Sequence, residues 1–108
     1  MTSHPKQLEK LAERFKLLSE PSRLQILQAI CRKELNVREI CTLTQLNQAN
    51  VSKHLQFLKI VGVVACRRVG VCHYYRIIAP DLLKLCAEAE RQLERELKLR
   101  ESSQLSQT

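Results

Sequence analysis

Glycine is nearly absent from this chain of 108 residues, which contains only Gly62 and Gly70. Because the two stand apart, no glycine-rich phosphate-binding loop can be formed, which excludes P-loop and dinucleotide-binding sites. Aromatic residues make up 4% of the sequence, too few for the stacking platforms that hold single-stranded nucleic acid. The longest run of apolar residues and glycine, residues 60–66, is far too short to span a membrane.

The rest of the composition is typical of a globular protein, with 44% hydrophobic and 27% charged residues. The amino-terminal residues lack the continuous apolar block of a secretion signal. The length allows one domain with one core. We therefore expect a cytoplasmic protein with one domain over residues 1–101, followed by a polar, disordered tail over residues 102–108.

Acidic side chains are missing from the centre of the chain. Eighteen Lys and Arg against eleven Asp and Glu give a net charge of +7, yet residues 40–80 contain no carboxylate. That segment holds five of the basic residues, whereas the other 67 residues are nearly balanced, with thirteen basic and eleven acidic side chains. Because a carboxylate would repel phosphate, an acid-free segment is typical of a polyanion-binding surface.

Hydrophobic periodicity predicts five helices. They span residues 5–18, 21–33, 37–43, 47–62 and 80–101. Asn36 and Glu39 have the spacing of a capping box at the third helix, and Asn47 is suited to cap the fourth. The third and fourth helices are joined by a short connection, and the second of the pair is polar and basic outward, which is the layout of a helix-turn-helix.

Residues 63–68 and 71–77 are rich in β-branched and aromatic residues, with Val69 and Gly70 between them. They predict a β-hairpin with a tight turn, and its basic side chains make it a wing. The expected fold class is mainly α with a small β-hairpin (α+β), a winged helix-turn-helix with the order α-α-α-α-β-β-α. The leucine stripe of the last helix has little to pack against in so small a domain, which implies a partner helix.

The candidate DNA-binding residues lie on the fourth helix and the wing. They are Gln48, Asn50, Ser52, Lys53, His54, Gln56, Arg67, Arg68 and Arg76. The first three could meet base edges in the major groove. Lys53 and the three arginines would hold phosphates without reading sequence. For His54 two roles stay open, contact with DNA and support of helix packing.

Three sets of residues resemble the ArsR/SmtB family of metal-responsive winged-helix repressors. The run LLSEPSRLQIL at residues 17–27 is similar to the family's second helix. Residues 34–37 with residues 50–55 resemble its helix-turn-helix, and RRVG before YYR, within residues 67–76, resembles its wing. The resemblance implies a homodimer built from the first and last helices. Such a dimer would bind an imperfect inverted repeat in double-stranded DNA and repress transcription until an inducer weakens binding.

The resemblance does not extend to the family's two familiar metal sites. Where the first has Cys-Val-Cys on the third helix, residues 36–38 read Asn-Val-Arg. The positions of the second site read Ala79, Asp81, Gln92 and Arg95. We therefore predict no metal site and no cofactor. A metal- or metalloid-responsive repressor with a non-standard cysteine site stays an alternative.

Five cysteines are many for a cytosolic chain, and an odd number cannot all be paired. Thiol-responsive family members carry one cysteine on the second helix and one on the last, and Cys31 and Cys86 fall on those elements. They are the candidate thiol switch, with inert packing as the alternative. In the wing, strand alternation lets only one of Cys72 and His73 share a face with Cys66, which disfavours a three-ligand metal site there.

No catalytic residue is predicted. The three histidines are dispersed, and no set of nucleophile, base and orienting group can be written, so we do not expect an enzyme. One further alternative is a winged-helix module that serves protein assembly.

Overall fold

The computed structural model of the chain describes residues 4–106. It divides into two compact units, one ending at Ile78 and one beginning at Ala79. The elements are α1 (Pro5–Leu17), α2 (Pro21–Ala29), β1 (Leu35–Asn36), α3 (Val37–Thr44), α4 (Gln48–Ile60), β2 (Val64–Val69), β3 (Cys72–Ile77) and α5 (Pro80–Ser106). The predicted winged helix-turn-helix is confirmed, with one strand more than expected.

The core of the first unit is built from aliphatic side chains of its helices and strands. The most deeply buried are Ile26, Leu27, Ile30, Leu35, Ile40, Val51, Leu55, Leu58, Val63 and Val64. Burial of a side chain of this size stabilises the fold by about 1.5–3 kcal/mol. The same burial fixes which side of α4 faces inward, and so which side is free for a partner.

The predicted helix caps are confirmed. The Asn36 side chain accepts a hydrogen bond from Glu39 N at 2.8 Å, and Glu39 Oε1 accepts one from Asn36 N at 3.0 Å. At α4, Asn47 Oδ1 accepts from Asn50 N at 2.8 Å. Between the two helices Gln45 has a left-handed backbone with φ of 61°. The Asn36 cap fixes where α3 begins, Gln45 where it ends, and the Asn47 cap where α4 begins.

The second helix is shorter than predicted. It ends at Ala29 instead of Lys33, and buried Ile30 follows with non-helical backbone angles. The chain leaves the helix because residues 35 and 36 pair with β3, Leu35 with Tyr75. This pairing forms β1 and completes an antiparallel sheet in the order β1-β3-β2. As a result Cys31 lies beyond α2, contrary to the prediction that placed it on that helix.

Two other boundaries differ from the predictions. The register pairs Val69 with Cys72, so the wing turns at Gly70 and Val71, one residue later than expected. Gly70 has φ of 61°, and a positive φ at the first turn position is what a type II′ hairpin requires.

The helix α5 continues to Ser106, so most of the predicted disordered tail is helical. No proline or glycine follows Pro80 to stop it. The last two residues of that tail lie outside the described part.

Candidate nucleic-acid interface

The exposed side of α4 carries the polar residues that the sequence predicted. Val51, Leu55 and Leu58 are buried on one side of the helix. The polar side chains exposed ahead of the last turn of α4 are those of Gln48, Asn50, Ser52, Lys53 and Gln56. They supply amides, a hydroxyl and one ammonium group, which can bond base edges and phosphate oxygens.

Ala49 also belongs to this exposed side, and the sequence reasoning missed it. It is exposed and lies one turn before Lys53 and two turns before Gln56, on the same face of the helix. A methyl group at this position can contact the methyl group of thymine. Helical spacing from Lys53 could have identified it, but a search for polar side chains passes over alanine.

The structure corrects one candidate residue. His54 is 8% exposed and lies among the buried side chains of α4. Its Nε2 is 3.6 Å from Glu20 Oε1. Because its ring faces the protein interior, His54 has the packing role, and the DNA-contact role that was left open for it does not fit.

The wing arginines do not share one face. The register pairs Arg67 with Tyr74 and Ala65 with Arg76, which places Arg67 and Arg76 on the same face of the hairpin. Arg68 is opposite His73 and therefore lies on the other face. All three arginines are exposed. A duplex that meets only one face of the wing therefore reaches either the first two arginines or the third, whereas a wing that lies in a groove has phosphates on both sides and can use all three.

A carboxylate from outside the acid-free segment approaches the wing. Glu34 Oε2 accepts a hydrogen bond from Arg67 Nε at 3.0 Å. The same guanidinium lies 5.8 Å from the centre of the Tyr74 ring. These contacts hold Arg67 in place, and Glu34 offsets part of its charge. Sequence position alone does not bring Glu34 to the wing; the short pairing of β1 with β3 does.

The first residue of α4 and the tip of the wing line one groove. Gln48 from α4, Arg38 from α3 and residues 71–73 of the wing lie along it, together with Cys41. Arg38 is exposed and adds a basic side chain that was not among the predicted contacts. The structure thus brings together α3, α4 and the wing on one surface.

The two predicted switch cysteines belong to different units. Cys31 is exposed in the first unit, and Cys86 is half-buried on α5. Burial, and after it the charge of Glu90, raise the pKa of the Cys86 thiol. A thiol that stays protonated is a poor nucleophile, so the raised pKa lowers the reactivity of Cys86 in thiol–disulfide exchange.

Two further properties concern residues 4–106. Within this range, His, Cys, Asp and Glu side chains do not gather in groups of three that could hold a metal ion. None of the helices described combines the length and the apolar character needed to cross a membrane.

Comparison with known sequences shows that this chain is similar to bacterial regulatory proteins. The family described as "Bacterial regulatory protein, arsR family" matches residues 20–65. The uncharacterized HTH-type transcriptional regulator Rv0081 of Mycobacterium tuberculosis H37Rv is 40% identical over 87 residues, which cover 80% of this chain and 76% of that protein. The transcriptional repressor SmtB homolog of Synechocystis is 32% identical over 88 residues, covering 82% and 67%.

Solved structures give the same result. The crystal structure of M. tuberculosis Rv0081 matches with a TM-score of 0.76 and 38% identity, covering 91% of this chain and 98% of that one. The homodimeric winged helix-turn-helix DNA-binding domain Mb0332 from Mycobacterium bovis matches with a TM-score of 0.73 and 35% identity, covering 90% and 92%.

Proposed function

Because this chain belongs to the ArsR/SmtB family of bacterial regulatory proteins, we propose that it is a homodimeric repressor of an inverted-repeat operator. Members of the family are DNA-binding transcriptional regulators and not enzymes, and this chain is one of them. The proposal adds the operator symmetry, the contact residues and the sign of regulation. It also places the protein in the cytoplasm, where its DNA target would be.

The observation that carries the proposal is the exposed side of α4. It is free of carboxylates and presents amides beside Lys53. We assign base-edge contacts to Gln48, Asn50 and Ser52, with Gln56 further along the helix. Lys53, Arg67, Arg68 and Arg76 would neutralise phosphates and set the register of the protein on the duplex. No described cluster of side chains favours the metal-responsive alternative.

Dimerisation through α1 and α5 is the second part of the proposal. On α1, Leu8, Leu11 and Phe15 recur at helical spacing and are 47%, 42% and 51% exposed. On α5, Leu93 and Leu97 are also exposed at helical spacing. Apolar stripes of this kind are stabilised when a partner helix covers them. The M. bovis relative is homodimeric, and a twofold dimer matches an inverted repeat because both half-sites are read alike.

A further part of the proposal is that oxidation of a thiol switch, Cys31 and Cys86, is the signal that induces transcription. Cys31 is exposed and Cys86 is half-buried with a raised pKa, so oxidation would begin at Cys31. Treatment with peroxide followed by peptide mass spectrometry tests the pair directly. A peptide that links Cys31 to Cys86 supports the switch, and its absence at full oxidation of Cys31 refutes it.

The test of DNA binding measures affinity against salt concentration. Fluorescence anisotropy with DNA from upstream of the protein's own gene, between 50 and 200 mM salt, gives the slope of log K against log salt, about −0.9 for each phosphate neutralised. Lys53→Gln should make the slope shallower by about 0.9 per protomer. Lys59→Gln is the matched control, because Lys59 is exposed in the last turn of α4, about 9 Å along the helix axis from Lys53.

Two outcomes would contradict the proposal. The first is the absence of salt-dependent binding to any duplex. The second is an equal change of slope in the Lys53 and Lys59 variants, because the charge of α4 would then act regardless of its position along the helix.

A further inference from the structure

A thiol and an imidazole meet on the wing, outside the residues assigned to DNA contact. The register pairs Cys66 with Tyr75 and Arg68 with His73, so Cys66 and His73 are diagonal neighbours on one face. Cys66 Sγ lies 3.4 Å from His73 Nδ1. The pair has the arrangement of a nucleophile and its base, with both partners fixed by the same hairpin.

We propose that Cys66 is a site of reversible S-thiolation, with His73 as the base and a small organic disulfide as the co-reactant. The Cys66 sulfur attacks one sulfur of the disulfide, so that a new S–S bond forms while the original one breaks. The thiol proton passes to His73 Nδ1 and then to the departing thiolate. The products are a mixed disulfide on Cys66 and one molecule of small thiol, so atoms and electrons balance.

Neighbouring groups favour this thiol over the other wing cysteine. Burial, followed by the charge of Cys66 and a hydrogen bond with it, raise the pKa of Tyr75. The Tyr75 hydroxyl therefore stays protonated and can donate to the sulfur. Cys72 is paired with Val69 and lies on the opposite face, away from the imidazole. A disulfide between the two wing cysteines would need backbone movement, which leaves Cys66 to an external partner.

The consequence for DNA binding follows from the position of the adduct. Cys66 precedes Arg67 in the chain and shares its face with Arg68. A glutathione adduct adds bulk and negative charge beside these guanidinium groups, which weakens their attraction for phosphate. This step rests on the proposed DNA-binding function, whereas the reactivity of Cys66 does not.

The first experiment measures reactivity without DNA. The reduced 108-residue chain is treated with oxidised glutathione, and mass spectrometry follows the rates at Cys66 and Cys72. Cys66 should react about tenfold faster than Cys72, although it is less exposed. His73→Gln should slow the reaction of Cys66 about tenfold and remove an inflection from the pH–rate profile of Cys66. The other titratable groups on this face of the wing are Arg68 and Tyr75. Equal rates at the two cysteines, or no change in His73→Gln, would overturn the proposal.

The second experiment measures the effect on DNA binding. Thiolated protein should bind a 30-base-pair duplex about tenfold more weakly than reduced protein, because one or more phosphate contacts per wing are lost. Cys66→Ser treated in the same way should keep its affinity, and Cys72→Ser should still lose it. Unchanged affinity after complete thiolation of Cys66 overturns the regulatory step. If the reduced protein binds no duplex, the proposed function fails, and the rates still decide whether Cys66 is the reactive site.

Discussion

Replacing Glu34 by glutamine should strengthen DNA binding, because the carboxylate competes with phosphate for Arg67. The two side chains are joined by a hydrogen bond of 3.0 Å between Nε and Oε2. At that distance two unit charges attract by about 5.5 kcal/mol with an effective dielectric constant of about 20. The side chains are 55% and 31% exposed, so solvent screening and side-chain entropy reduce the net value to about 1 kcal/mol or less.

That free energy sets the size of the expected effect. An Arg67 that gives up Glu34 to bind phosphate loses up to about 1 kcal/mol, which corresponds to about fivefold in affinity per wing and about 25-fold for the two wings of a dimer. Glu34→Gln should recover part of this loss. Its log K should also depend more steeply on log salt, by up to about 0.9 per protomer, because each free Arg67 neutralises a phosphate more fully.

Anisotropy titrations of four proteins test this reasoning: the parent, Glu34→Gln, Arg67→Gln and the double variant. Glu34→Gln should bind more tightly only where Arg67 is present. Glu101→Gln changes the net charge equally at an exposed position of α5, and its affinity should stay near that of the parent. An equal gain in the single and double variants would refute the role of Arg67, and an equal gain in Glu101→Gln would reduce the effect to net charge.

Two other predictions concern stability and assembly. Asn36→Ala removes the side-chain oxygen that accepts from Glu39 N, while the backbone N–H of residue 36 can still donate to Glu39 Oε1. The loss of this one cap should lower the free energy of unfolding in urea by about 1 kcal/mol; an unchanged midpoint would contradict the capping role. Leu93→Glu places a charge in the exposed stripe of α5 and should give a monomer in sedimentation experiments, with DNA affinity lowered. Ser102→Glu adds the same charge on the opposite side of α5 and should stay dimeric; a dimeric Leu93→Glu protein would contradict the proposed interface.

Features that depend on residues close together in the sequence could be predicted. The capping residues Asn36 and Asn47 mark helix starts because their side chains bond backbone groups within one turn. The buried face of α4 follows from its apolar spacing. The α2 boundary could not be predicted in this way, since residues 31–34 contain good helix formers. Pairing with Tyr75 in a strand far along the chain ends that helix.

The same distinction explains the electrostatics of the candidate interface. The sequence separates acid from base along the chain, since residues 40–80 contain no carboxylate. In three dimensions Glu20 comes within 3.6 Å of His54 and Glu34 within 3.0 Å of Arg67. Each carboxylate comes from a segment that precedes the acid-free one, and one is brought in by β1, the strand that local patterns missed. The basic surface is therefore smaller than the sequence predicted. In the described residues, Lys53 has no carboxylate within ion-pair distance. Lys53 should therefore contribute more to phosphate binding than Arg67 does.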